Sequence, residues 1–110
     1  MQPKPLYSAR NLTPSYRLYY DWSGWPSAGP LPRAPEDTVW TDLAAAWEFD
    51  GLRLLEHRWE SECVHLTFST TPAVSPVLLA QRAKGRLQHA LRTAGSPVKF
   101  SRKVSVRSTG

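Results

Sequence analysis

The sequence predicts an α+β domain: one four-stranded antiparallel sheet carrying two helices on a single face. Three observations support this. Apolar residues alternate with polar ones in strand-like segments, they recur at helical spacing in two others, and the order along the chain is strand, helix, strand, strand, helix, strand.

Residues 1–13 contain prolines and no periodicity, so they are read as an N-terminal arm, with the folded domain spanning 14–110. From Ser15 to Trp22 the chain alternates: Tyr16, Leu18, Tyr20 and Trp22 fall on one face, and Arg17, Tyr19 and Asp21 on the other. Prolines at 26, 30, 32 and 35 then impose a long loop. Pro35 opens a helix whose first turn carries Glu36 and Asp37, charges that suit a helix N-terminus. Val39, Trp40, Leu43, Ala44 and Trp47 form its buried stripe, and Gly51 stops it. Both tryptophans are assigned to the core.

Leu52 to Trp59 is a second strand with mixed faces: Leu52 and Leu54 share one side, Leu55, His57 and Trp59 the other. Glu60-Ser61-Glu62 is a polar hairpin into a third strand from Cys63. Ser75 caps the second helix and Pro76 takes its first position. Leu79, Ala83, Leu87, Ala90, Leu91 and Ala94 mark the buried stripe, and Gly95 the end. Gly85 lies mid-helix at a cost of about 1 kcal/mol against Ala, which predicts close packing there. A last strand alternates from Val98 to Arg107. The whole is the split β-α-β arrangement of a ferredoxin-like fold, whose second sheet face is open.

Composition bounds the function. A chain of 110 residues with 41% hydrophobic residues and five Trp builds one core. No apolar run approaches the roughly 18 residues that span a bilayer, and the N-terminus shows no apolar signal region, so no membrane partner is expected. One cysteine forms no internal disulfide, which suits a reducing cytoplasm. Net charge is +5 but unevenly spread: all nine acids lie at or before Glu62, and eight Lys or Arg follow Cys63 with no acid among them. Such asymmetry is the footprint of a polyanion-binding surface. Arg82, Lys84, Arg86, Arg92, Lys99, Arg102 and Lys103 are the expected DNA contacts, chiefly to phosphates. Trp22 and Trp25 are expected to offer stacking surfaces for unpaired bases.

In the third strand Val64, Leu66 and Phe68 must face the helices, which puts Cys63, His65, Thr67 and Ser69 on the open face. Cys63 and His65 are therefore the expected metal-ligating pair. His57 is read as a partly buried strand residue and His89 as lying on the basic flank of the second helix.

Glu62-Cys63-Val64-His65-Leu66, Val74-Ser75-Pro76, Lys84-Gly85-Arg86 and the ending from Phe100-Ser101-Arg102 to Gly110 together resemble the single-tyrosine HUH transposases of the REP-associated and small insertion-sequence type. The resemblance implies a ferredoxin-like domain that binds single-stranded or hairpin DNA and pairs as a homodimer. In the family a His-hydrophobic-His strand holds Mg²⁺ or Mn²⁺, and a tyrosine on a later helix attacks the phosphate. Here the first histidine is replaced by Cys63, whose thiol weakens a hard cation and favours a softer one such as zinc. The chain also ends before the position of that tyrosine. Tyr7, Tyr16, Tyr19 and Tyr20 all precede the first helix. The resemblance thus implies DNA binding without strand transfer by this segment alone. Two alternatives stand beside it: a residual metal-dependent nuclease with a tyrosine supplied elsewhere, and a general RNA-binding module on the same fold.

Overall fold

A computed structural model describes residues 17–109. The N-terminal arm, Tyr7, Tyr16 and Gly110 lie outside the described residues. The elements are β1 (Leu18–Pro26), α1 (Asp37–Phe49), β2 (Leu52–Trp59), β3 (Val64–Thr70), α2 (Pro76–Thr93) and β4 (Phe100–Ser108). Every pairing is antiparallel and the sheet order is β2-β3-β1-β4, the ferredoxin-like arrangement with β3 and β1 at its centre. Neither helix is long and apolar enough to cross a membrane.

The core fills the space between the sheet and both helices. From the strands come Trp22, Leu52, Val64, Leu66, Phe68 and Phe100; from the helices Trp40, Leu43, Trp47, Leu79, Leu87 and Leu91. Trp47 meets Phe68 edge-on at 5.0 Å, and Trp22 meets Phe100 likewise at 5.9 Å. Burying aromatic rings of this size supplies most of the driving force of a small domain. Trp47 Nε1 donates to the Arg82 carbonyl at 3.1 Å, so its one polar atom is satisfied inside the core. Trp40 and Trp47 are core residues, as the helical stripe predicts. Trp22 is fully buried, so it offers no stacking surface and that expectation falls to Trp25 alone, 37% exposed.

Helix limits follow local chemistry. Ser75 Oγ accepts from the Leu78 N–H at 3.1 Å with Pro76 beginning the helix. At the other end Ser96 N–H bonds Leu91 O and Gly95 N–H bonds Arg92 O, the paired closure that requires Gly95 at φ 87°. Gly85 differs from expectation: a Cβ built there meets nothing within 4 Å, so no close approach accounts for it.

Two irregularities shape the sheet. Between Leu54 and Glu56 the β2 register shifts, and Leu55 is the extra residue, half exposed. This bulge resolves the mixed faces of β2. Leu54 pairs with Phe68 and His57 with Leu66, so residues on both sides of the bulge reach the helix side. His57 there stacks flat on Trp40, with centroids 4.0 Å apart and 9° between planes. A second shift between Gly24 and Pro26 carries β1 past its predicted end to pair Pro26 with Phe100.

Candidate nucleic-acid interface

Antiparallel partners share a face, so the register spells out the open side of the sheet. One row across all four strands reads Glu56, Thr67, Asp21, Arg107; the next reads Arg58, His65, Ser23, Ser105. These side chains, with Trp25, line a cavity of about 560 Å³. Thr67 Oγ1 donates to Asp21 Oδ1 at 2.8 Å, and Ser23 Oγ lies 2.9 Å from His65 Nδ1. His65 Nε2 is 3.4 Å from Glu60 Oε1 on the hairpin. Tyr19, 40% exposed, belongs to the same face by its pairing with Ser69. The central strand β1 thus supplies two exposed aromatics to a face whose other central strand has none.

Cys63 does not join this array. It precedes β3, at the point where Glu60 N–H closes the hairpin on the Cys63 carbonyl at 3.0 Å. Its side chain is buried, and the Sγ–H points at the Val64 carbonyl, 3.7 Å away. Burial pushes the thiol up from its ordinary range and the Glu60 charge adds to this; a hydrogen bond from the Gly24 backbone and the Arg58 charge oppose it. Cys63 thus stands one residue before β3, buried, and is not among the residues that line the cavity with His65. Among the described residues no three His, Cys, Asp or Glu side chains converge on a metal-sized site.

The predicted phosphate contacts divide into two groups. Arg82 and Arg86, on α2, both turn to Asp50 at the end of α1. Arg82 Nη1 donates to Oδ1 at 2.7 Å; Arg86 Nε donates to Oδ2 at 2.7 Å and Nη2 to Oδ1 at 3.1 Å. The Asp50 side chain is 5% exposed. Its hydrogen bond from Arg86, and then the charges of Arg86 and Arg82, hold the carboxyl below the usual carboxylate range although burial acts the other way. Lys84 Nζ donates to the Ser101 carbonyl at 3.2 Å, tying α2 to β4. These three cations hold elements of the fold together.

The second group is exposed. Arg92 stands in the last turn of α2, Lys99 just before β4, and Arg102, Lys103 and Arg107 along β4. None of the five has an ion-pair or side-chain hydrogen-bond partner among the described residues. Because β4 is an edge strand, Arg102 on one face and Lys103 with Arg107 on the other straddle its free edge. Arg107 was missed as a contact by the sequence reading, although it belongs to the same acid-free tail. No protein-family model matches this chain, and no curated protein does either. The likeness to transposases rests on the motifs quoted above.

Proposed function

We propose that this domain binds single-stranded or hairpin DNA, as its resemblance to the HUH transposases implies, and that the phosphates run along the free edge of β4. The observation that carries the reading is the row of exposed, unpartnered cations Arg92, Lys99, Arg102, Lys103 and Arg107 in a segment without a single acid. A polyanion laid there releases counterions without breaking an existing ion pair. Tyr19 and Trp25 on the adjoining open face favour unpaired bases over a closed duplex, since stacking needs a bare base face. The role is recognition, and no bond-breaking step is assigned to it.

Fluorescence anisotropy of labelled hairpins, matched duplexes and unstructured single strands, titrated at several salt concentrations, tests the reading. Hairpin or single-stranded DNA is expected to bind more tightly than duplex. Replacing Lys99, Arg102 and Lys103 together by Gln should flatten the log–log salt slope by about 2 to 3. Equal weak binding to all three DNAs, or an unchanged slope in the triple variant, overturns it. Tighter binding to RNA of the same sequence would favour an RNA-binding module instead.

A further inference from the structure

The open-face cavity, beside the β4 edge proposed for the phosphates, contains a carboxylate. Asp21 sits on the central strand β1, half-buried, with Thr67 Oγ1 donating to its Oδ1 at 2.8 Å. That bond fixes the carboxylate plane and leaves lone pairs on both oxygens free. No Lys, Arg or His side chain lies within ion-pair distance of Asp21 among the described residues, although Arg107 is its partner across the β4 pairing. Glu56 stands in the same row on the far side of Thr67. Two carboxylates in this row disfavour a phosphate against Asp21 itself, so what fits there is a group with N–H donors, while Arg107 and Arg58 at the flanks of the cavity are left to phosphate.

Nucleobases differ sharply in that respect. A carboxylate accepts and does not donate, and its two oxygens match a pair of neighbouring N–H groups. Guanine alone presents such a pair on its Watson–Crick edge, the ring N1–H beside the exocyclic N2 amine. Adenine and cytosine place a ring acceptor next to their amine, and thymine flanks its one N–H with two carbonyls, each of which would face the carboxylate oxygens. The geometry points to Asp21 as the residue that reads an unpaired guanine, with Thr67 as the positioning residue that holds its carboxylate. Trp25 lies four residues along β1, roughly 13 Å in an extended strand, and so stacks a neighbouring base rather than the guanine. Arg107 takes a flanking phosphate. This assignment rests on the DNA-binding reading above and adds base specificity to it.

The test compares an oligothymidylate carrying one central guanine with the same strand carrying adenine or inosine there, since inosine lacks only the N2 amine. Wild-type protein should bind the guanine strand about ten-fold more tightly than the adenine strand, with inosine in between. Asp21→Asn, which keeps an oxygen for Thr67, should bind all three strands equally and with the affinity the wild type shows for adenine. Wild-type binding that is equal across the strands overturns the guanine assignment and leaves the DNA reading standing. Loss of all binding in Asp21→Asn with a lowered melting temperature makes Asp21 a structural residue and also overturns it. Failure of the wild type to bind any strand overturns the DNA reading itself.

Discussion

Replacing Asp50 by Ala separates a structural from a ligand-binding role for the basic flank of α2. Asp50 lies at the C-terminal end of α1, where a negative charge is unfavourable by roughly 0.5 kcal/mol against the helix dipole. It is retained there by three hydrogen bonds from Arg82 and Arg86. Charge-assisted bonds contribute roughly 1.5–3 kcal/mol each, but both arginines are 40–48% exposed, so solvent screening brings the figure to the low end. Two arginine contacts less the relief at the helix end give a net loss of about 2 kcal/mol, or roughly 10 °C in melting temperature for a domain of this size. The effect also has a pH signature. Because the folded carboxyl is held below its unfolded value near 3.9, the stabilisation is fully present above that pH and is lost as pH falls through the lower, folded value. Thermal melts followed by circular dichroism at pH 7 and at stepwise lower pH should therefore show wild type and Asp50→Ala converging in acid. Arg86→Ala should lower stability similarly while leaving the salt slope of DNA binding unchanged. An Asp50→Ala melting temperature within about 2 °C of wild type at pH 7 would refute the argument. So would an Arg86→Ala protein that melts normally but has lost one unit of salt slope.

Three further outcomes follow from other positions. Gly24→Ala should cost about 2 kcal/mol or more in a urea titration, because a Cβ there would run into the ring of Trp22, with Cζ2 at 2.8 Å, and that ring is locked in the core. Gly85→Ala should raise stability by about 1 kcal/mol, since the added methyl meets open space and removes the helix penalty of glycine. Cys63 should react slowly with a thiol reagent at neutral pH in the native protein and rapidly in denaturant; fast native labelling would contradict both its burial and its raised ionisation.

The element order was legible because its signals are local. The stripe Leu79, Ala83, Leu87, Leu91 and the alternation of Val64, Leu66 and Phe68 follow directly from helix and strand periods. What was not legible depended on partners distant in sequence. The β2 bulge at Leu55 is fixed by register against β3, and without it Leu54 and His57 fall on opposite faces. Pro26 lies within β1 because it pairs with Phe100, a residue no local rule connects to it. Cys63 fits the alternation of β3, yet it lies one residue before that strand, in the hairpin that Glu60 N–H closes on its carbonyl. The charge asymmetry identified which half of the chain is basic. Only the fold shows that Arg82 and Arg86 are already committed to Asp50, an acid from the other half.

The central position of β1 has a consequence for how the chain reaches its native state. Among the described strands β1 emerges first and has no neighbour until β3 follows, as the bond between Asp21 and Thr67, 46 residues apart, illustrates. Its other side stays bare until β4, the last of the described elements, docks. During that interval a segment carrying Tyr19, Tyr20, Trp22 and Trp25 presents unsatisfied backbone groups on one flank or both. Loop closure over such separations slows the search, and nascent chains in this condition are prone to pair with one another. Synthesis at low temperature or with chaperone support should therefore raise the soluble yield more than any change to the finished surface.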